Sequence, residues 1–203
     1  GVDVMRWMYA KANPAENLLF GFKIGDNVRR SFLLMLWNIY RFFVDYALLD
    51  GYDTQKVPTR PSTSSVLDEW IVQRLHQVII NSKENLEKYD ARSMTTDVDA
   101  LIQDISTWFI RRSRDRVWNA SQDTQDKDSF YGTLHYVLVQ LVIILSPITP
   151  FVTDEIYRNL TGEESVHLAS WPELDQNIDK GINEDIIESM KNIRKLSEVR
   201  QRA

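Results

Sequence analysis

The chain has 203 residues, of which 43% are hydrophobic and 26% charged, so it is long and apolar enough to bury a core. It contains no cysteine, which excludes disulfides, thiolate metal sites and a cysteine nucleophile, and its three histidines are too far apart for a metal-ligand motif. The formal net charge of -5 argues against a nucleic-acid binder, because such proteins are more often basic overall.

Apolar residues recur at helical spacing along most of the chain, and capping signals mark where the segments begin and end. Asp26 is a candidate N-cap of the second helix, which Asp50-Gly51 ends through a left-handed residue. Ser65-Val-Leu-Asp68 resembles a capping box, and Thr149-Pro150 starts a helix after a proline break. The predicted helices cover residues 2–12, 26–49, from 65 onward, 96–119, 129–145, 150–159 and from 183 to the end.

The remaining segments predict how these helices are connected. Residues 13–25, 51–64 and 120–128 have the composition of loops, and residues 165–172 alternate like an extended segment. The helix at 129–145 is apolar nearly all round, which predicts a buried position at the centre of the bundle. We therefore predict an all-α fold, an antiparallel helical bundle with a short extended segment near residues 165–172.

Two sequence features bear on location. The first residues lack the apolar run and small-residue cleavage site of a signal peptide. The apolar run at 136–148 contains Gln140 and Pro147 and is shorter than the roughly 20 residues that span a bilayer. We therefore expect a cytoplasmic protein with no membrane partner.

Residues 108–118 carry four arginines and one aspartate within a chain that is acidic overall. At 100° per residue, the preceding part of this helix has one apolar stripe, formed by Val98, Leu101, Ile102, Ile105 and Phe109. Continued by one and two turns, the stripe reaches Arg112 and Arg116. The opposite face carries Arg111, Arg114 and Trp118. The pattern predicts that the core line of the helix becomes cationic in its last two turns.

Two interpretations of these cations remain open. Arg112 and Arg116 either extend outward at the end of the bundle or pair with buried carboxylates, or the bundle end opens into a groove that faces phosphates. In the second case Trp118 is available for base stacking, and arginine for phosphate or base contacts. Arg114 and Trp118 are also spaced for a cation–π pair.

The second helix shows a weaker polar pattern. Its polar residues on one face are Arg30, Asn38, Arg41 and Asp45, of which the last two are spaced to form an ion pair. Arg29 and Arg30 lie near the predicted start of the helix, where cations oppose the helix dipole. That placement favours an external anionic partner, although Asp26 can pair with either arginine.

Together these segments resemble one known family. Trp108-Phe-Ile-Arg-Arg-Ser-Arg-Asp-Arg-Val-Trp118 is similar to the WYIRRSRxRFW segment of isoleucyl-tRNA synthetases, which are class I aminoacyl-tRNA synthetases, although Asp115 interrupts the arginine run. The other blocks agree with the family in order and spacing: Gly1-Val-Asp-Val-Met-Arg-Trp7, Asn13-Pro14 with Leu19-Phe20-Gly21, Val28-Arg-Arg-Ser-Phe-Leu-Leu-Met-Leu-Trp-Asn38 with Phe42-Phe-Val-Asp-Tyr-Ala47, Leu67-Asp-Glu-Trp-Ile71 with Arg74-Leu75, Ser146-Pro-Ile-Thr-Pro-Phe151 with Glu155-Ile-Tyr157, and Ser165-Val-His-Leu-Ala-Ser-Trp-Pro172.

The resemblance implies the helical anticodon-binding part of such an enzyme. Residues 1–25 would end the stem-contact region, 26–161 would form the anticodon-binding bundle, and 162–203 would be a connector and C-terminal helix. The expected partners are isoleucine tRNA and the catalytic and editing domains of the same polypeptide, with a monomeric enzyme. The chain itself would be non-catalytic and without cofactor, while ATP with Mg would serve the catalytic domain. The candidate tRNA-binding residues are Arg29, Arg30, Asn38, Arg111, Arg112, Arg114 and Trp118.

Two alternatives remain open. The chain is either an interdomain or protein-interaction scaffold with little RNA affinity, or the same domain of a valyl- or leucyl-tRNA synthetase, which share single blocks of this pattern. Residues 162–190 hold eight acidic residues and one lysine, as in a solvated connector, whereas residues 191–203 hold five basic residues and one acidic residue. The net charge of -5 therefore averages over regions of opposite sign.

Overall fold

The computed structural model describes residues 1–54, 61, 63, 65–118, 124–174 and 182–202, with side chains described as far as residue 197. Within these residues there is no β-strand, and the predicted all-α bundle is confirmed. The helices are α1 Val2–Lys11, α2 Phe22–Leu49, α3 Val66–Glu87, α4 residues 91–118, α5 Thr124–Leu145, α6 Pro150–Thr161 and α7 Glu184–Arg202.

Helix α5 lies at the centre of the bundle, as its uniformly apolar sequence predicts. It contacts α2, α3, α4 and α6. Helices α2 and α5 are both long and apolar enough, by length and composition, to cross a membrane. In α5, however, 78% of the most apolar window is buried inside the protein, which is typical of a core helix. The corresponding share in α2 is 33%.

The helix ends agree with the sequence where the capping residue is local. The Ser65 hydroxyl accepts a hydrogen bond from the Asp68 N–H at 3.1 Å, so α3 begins as predicted. Gly51 follows α2 with a φ of 67°, the left-handed conformation expected at this position. Pro150 occupies the first turn of α6.

Two predicted helix starts are wrong. Helix α2 begins at Phe22, so Asp26 lies inside the helix and is not its N-cap. Helix α4 begins at Ala91, five residues before the predicted start at residue 96. The Asp90 carboxylate accepts the Ser93 N–H at 3.0 Å and is the N-cap of this helix.

Two connecting segments also differ from the prediction. Helix α5 begins at Thr124, inside the loop predicted at 120–128, whose residues 120–123 lie outside the described part of the chain. The segment predicted to be extended near residues 165–172 contains one turn of 3₁₀-helix at Val166–Leu168. The Ser165 hydroxyl accepts the His167 N–H at 3.2 Å, a local contact that competes with extended backbone.

Polar side chains fix the N-terminal helix on the bundle. The Asp3 carboxylate accepts the Val152 N–H at 2.7 Å, which supplies the first turn of α6 with an acceptor from α1. The Arg6 guanidinium donates to the carbonyl oxygens of Ile148 and Pro147 at 2.8 and 2.9 Å. Because both contacts reach the turn before or at the start of α6, α1 is held against this end of α5 and α6.

A second polar contact fixes the C-terminal end of α2. The Asp50 carboxylate accepts the Tyr131 hydroxyl of α5 at 2.6 Å and the Lys127 ammonium at 3.1 Å. These donors, the tyrosine hydroxyl first, hold the pKa of Asp50 below its ordinary value. Helix α2 is therefore fixed beside α5 at the end that approaches α4.

The buried imidazole of His135 predicts a pH dependence of stability. Burial lowers the pKa of His135, whose Nε2–H donates to the Leu160 carbonyl at 3.1 Å. The unfolded chain binds this proton below about pH 6.5, so the free energy of unfolding should fall as pH drops through that value toward the folded pKa. We expect the urea midpoint to fall between about pH 7.5 and pH 5.5, and His135→Gln to remove that part of the dependence.

His167→Gln replaces an exposed histidine in the same way and serves as the control for the substitution itself. The same profile in wild type and His135→Gln would contradict the assignment to His135.

Candidate nucleic-acid interface

All the residues that the sequence predicts to bind RNA are exposed at the surface. They lie on two helices, α2 and α4, and comprise Arg29, Arg30, Asn38, Arg111, Arg112, Arg114 and Trp118. Helix α2 contacts the middle of α4. These side chains nevertheless fall into separate groups with different neighbours.

The first group lies near the start of α2, where two arginines share one carboxylate. Arg29 donates to Asp26 at 2.7 Å and Arg30 reaches the same carboxylate at 2.7 Å. These hydrogen bonds, those from Arg29 first, hold the pKa of Asp26 below its ordinary value. Because α2 begins at Phe22, both arginines lie beyond the first turn, and the dipole argument for an external anion is wrong. Two cations and one anion leave a local charge of +1.

A π-helical turn decides which arginines of α4 face outward. Residues Asp104–Ile110 form a π-helix, whose i→i+5 hydrogen bonds add one residue to the turn. The added residue rotates the rest of α4 by about one helical position, roughly 100°. Ser113 and Val117 are buried after this turn, while Arg112 is exposed. The prediction that the core line continues to Arg112 is therefore wrong, because it assumes uninterrupted α-helical phase.

Arg116, by contrast, does face inward and pairs with carboxylates. Its guanidinium donates two hydrogen bonds to Asp68 of α3, at 2.7 and 2.9 Å, and contacts Asp126 of α5 at 2.7 Å. The Asp68 side chain is fully buried, and that of Arg116 is 14% exposed. The Ser129 hydroxyl donates to Asp68 at 3.1 Å. Arg116 thus joins three helices and is a structural residue.

Trp118 lies at the end of α4 and is tied to α2. Its indole N–H donates to the Tyr46 hydroxyl, and the Arg114 guanidinium lies 5.7 Å from the indole centroid. The cation–π pair predicted from their spacing is thus present. Trp118 remains 61% exposed. An exposed indole that is held at its edge and flanked by a cation has the geometry of a base-stacking platform.

Arg112 has a different environment from Arg114. Its guanidinium lies 4.6 Å from the centroid of Trp108, one turn earlier on α4. The Trp108 indole N–H donates to the Met190 sulfur of α7 at 3.2 Å. Arg112 therefore belongs to the side of α4 that faces α7, whereas Trp118 belongs to the side that faces α2.

The two helices also separate the candidates by distance. Arg30 and Tyr46 are 16 residues apart on α2, which corresponds to roughly 24 Å along the axis. The pair Arg29 and Arg30 therefore lies about 24 Å from Trp118 along α2, and one compact pocket does not contain all seven candidates.

Sequence reasoning missed three contributors to this surface. Tyr46 and Arg194 contact α4 from positions distant in sequence, and no periodic signal connects them. Trp108 was discoverable, because Trp108 and Arg112 have the same i,i+4 spacing as Arg114 and Trp118.

Because Arg116 pairs with a buried carboxylate and Arg112 is exposed, we expect their alanine variants to differ in stability. Arg116→Ala leaves the buried Asp68 carboxylate without its guanidinium, so we expect a loss of about 3–5 kcal/mol in the free energy of unfolding. Arg112→Ala removes an exposed side chain with one cation–π contact, and its cost should stay below about 1 kcal/mol. Urea denaturation at neutral pH measures both.

Asp126→Asn gives a milder test of the same network if Arg116→Ala does not fold. It keeps the size of the side chain and should destabilise less than Arg116→Ala, because Asp68 retains its partner. Equal stability of the Arg116→Ala and Arg112→Ala variants would contradict the structural role of Arg116.

Comparison with known proteins supplies the family. A family described as the anticodon-binding domain of tRNA ligase matches residues 68–203. The chain is 37% identical over 197 residues to the isoleucine–tRNA ligase of Deinococcus radiodurans, covering 94% of this chain and 18% of that protein. It is 37% identical over 183 residues to that of Thermus thermophilus, covering 86% of this chain and 17% of that protein. For Dehalococcoides mccartyi (strain CBDB1) the identity is 38% over 199 residues, covering 94% and 19%.

A solved structure supports the fold. The Agrobacterium radiobacter K84 agnB2 LeuRS-tRNA-LeuAMS ternary complex contains a chain similar to this one, with a TM-score of 0.62 at 16% identity. The similarity covers 92% of this chain and 20% of that chain. The chain spans about a fifth of the length of the relatives it matches. With residues 68–203 matched, the chain belongs to the family of anticodon-binding domains of tRNA ligases.

Proposed function

We propose that this chain binds the anticodon stem-loop of isoleucine tRNA and positions the tRNA for aminoacylation by a catalytic domain outside these residues. The observation that carries the proposal is the exposed surface of α2 and α4, where Trp118 is held by Tyr46 and flanked by Arg114. Isoleucine is inferred from the relatives, which are named isoleucine–tRNA ligases.

Trp118 would contribute stacking. Anticodon loops present bases that can be splayed out of the loop, and an aromatic side chain binds such a base through its π face. The indole N–H of Trp118 is already donated to Tyr46 and the Arg114 guanidinium lies over one face of the ring, so the opposite face is the part available to RNA. Stacking of this kind tolerates different bases. We therefore assign affinity, and not base identity, to Trp118.

The exposed cations of α4 would contact the phosphates. Arg111, Arg112 and Arg114 are all exposed, and Arg114 lies beside the proposed stacking platform. Phosphate contacts fix the register of a nucleic acid on a protein and make binding salt-dependent. The proximity of cations and an exposed indole therefore accounts for binding in an acidic chain.

The residues of α2 would contact a different part of the RNA. Arg29 and Arg30 lie about 24 Å from Trp118 along α2, which is farther than neighbouring nucleotides reach in a stacked strand. We assign these two arginines to the backbone of the stem. Asn38 lies between the two groups along α2, and its amide can donate to and accept from a base edge.

The longer protein supplies the remaining parts of the proposal. ATP with Mg would be used by its catalytic domain, and an editing domain of the same polypeptide would be a further partner. We propose a cytoplasmic, monomeric enzyme in which residues 1–25 end a stem-contact region, 26–161 form the binding bundle and 162–203 form a connector with a C-terminal helix.

Competition between tRNA species tests the proposed partner. In gel-shift assays at low salt, the chain should bind isoleucine tRNA in preference to valine and leucine tRNA. Preferential binding of either competitor would reassign the domain to the valyl or leucyl enzyme. No binding to any of the three would contradict the RNA-binding function and leave an interdomain scaffold.

Single substitutions test the roles of the α4 residues. Trp118→Ala should lower tRNA affinity roughly 5- to 150-fold with little change in the slope of log affinity against log salt, because stacking contributes about 1–3 kcal/mol per base. Arg114→Ala should reduce that slope by about one. Filter binding across a salt series separates the two effects.

Two controls complete the series. Arg158→Ala removes an exposed arginine of α6 and should alter neither affinity nor slope. Tyr46→Phe removes the acceptor of the Trp118 indole but keeps both rings, so its effect should be smaller than that of Trp118→Ala. Equal affinities of wild type and Trp118→Ala would contradict the stacking assignment.

A further inference from the structure

The indole of Trp108 connects the arginine surface of α4 to the C-terminal helix α7. The Arg112 guanidinium lies 4.6 Å from the Trp108 centroid, and the Arg194 guanidinium of α7 lies 5.6 Å from the same centroid. The Met190 sulfur accepts the indole N–H at 3.2 Å. Three side chains from two helices thus surround one ring.

Arg194 is itself fixed by charge. It donates to the Asp104 carboxylate, which is 8% exposed and also accepts from Arg74 of α3 at 3.1 Å. Its guanidinium lies 5.9 Å from the centroid of Trp70, on α3. Arg194 therefore contacts α3 and α4 together, although it belongs to α7.

These contacts separate the functions of the two tryptophans of α4. Trp118 is exposed, with Arg114 over one face and the other face available to a base, whereas Trp108 is half-buried and contacted by Arg112, Arg194 and Met190. Trp108 is thus a support for Arg112. Met190, which accepts the indole N–H, and Arg194, which lies over the ring, both belong to α7. The position of Trp108 therefore depends on α7.

We propose that Arg194 is a positioning residue for RNA binding: it fixes Trp108 and, through that ring, the orientation of Arg112 toward a phosphate. This inference rests on the proposed function. An arginine already held in one orientation loses less side-chain entropy when it binds than a free one does. Removing Arg194 should therefore weaken the contribution of Arg112 without removing a phosphate contact.

A double-mutant cycle tests this coupling in the full chain. Arg194→Gln should lower affinity for isoleucine tRNA about 2- to 10-fold while the salt slope stays unchanged. In an Arg112→Ala background the same substitution should have no further effect, because the residue through which it acts is absent. Asp104 keeps Arg74 in this variant, so the bundle should remain folded. Thermal denaturation checks that it does.

Matched variants on the same residue and the same helix refine the test. Arg194→Lys keeps a positive charge opposite Asp104 and should recover part of the lost affinity. Lys195→Gln removes an exposed neighbouring cation of α7. Lys195→Gln should therefore show no coupling to Arg112→Ala. A lower salt slope with Arg112→Ala but not with Arg194→Gln supports the proposal, since only a direct phosphate contact changes the slope. A slope lowered by Arg194→Gln itself overturns it.

A measurement without RNA keeps the inference distinct from the proposed function. The indole N–H NMR signal of Trp108, assigned with Trp108→Phe, should shift in both Arg194→Gln and Arg112→Ala. An unshifted signal in Arg194→Gln overturns the positioning role. Equal losses of affinity from Arg194→Gln with and without Arg112 also overturn it. Absence of tRNA binding by the wild type would overturn the proposed function first, and the positioning role with it.

Discussion

The surface of α4 depends on one buried ion pair network, that of Arg116 with Asp68 and Asp126. The Arg116 guanidinium joins α3, α4 and α5. Among the described residues, Arg116 is the cation that pairs with the fully buried Asp68 side chain. Removing either charge from such a site is costly, because the remaining one stays away from water. With Arg116 held inside, the last turns of α4 have one fixed rotation. Arg111, Arg112 and Arg114 then face outward.

The π-helical turn at Asp104–Ile110 makes that rotation possible. Without the added residue, uninterrupted α-helical phase would direct Arg112 toward the core line. Helix α2 contains a second π-helical turn, Arg29–Leu33, at its own pair of arginines. Helix α2 therefore changes phase at its pair of arginines and α4 immediately before its own, which lets an apolar stripe and an exposed cationic group share one helix.

The sequence predicts those parts of this protein that depend on neighbouring residues. The Ser65 cap, the left-handed Gly51 and the uniformly apolar α5 are all local features, and each was predicted correctly. The phase of Arg112 was not, since a π-helical turn leaves no mark in a periodic pattern. Contacts such as Trp118 with Tyr46 join residues far apart in the chain. They require the folded bundle. The Asp90 cap of α4, by contrast, is a local contact with Ser93 that the sequence could have indicated.

Net charge was a misleading guide to function because it sums charges over distances at which salt screens them. A total of -5 repels RNA at long distance, whereas salt at physiological strength screens exposed charges beyond about 8 Å. A bound RNA strand therefore responds mainly to the few cations beside it. The exposed arginines of α4 and the indole of Trp118 are the local surface that we propose for RNA within an acidic chain.

Photo-crosslinking from position 118 tests the central claim most directly, that RNA lies against the end of α4. A photoreactive p-benzoylphenylalanine in place of Trp118, irradiated in the presence of isoleucine tRNA, should crosslink to nucleotides of the anticodon loop. Crosslinks confined to the acceptor stem, or found equally with a tRNA that does not compete for binding, would contradict it.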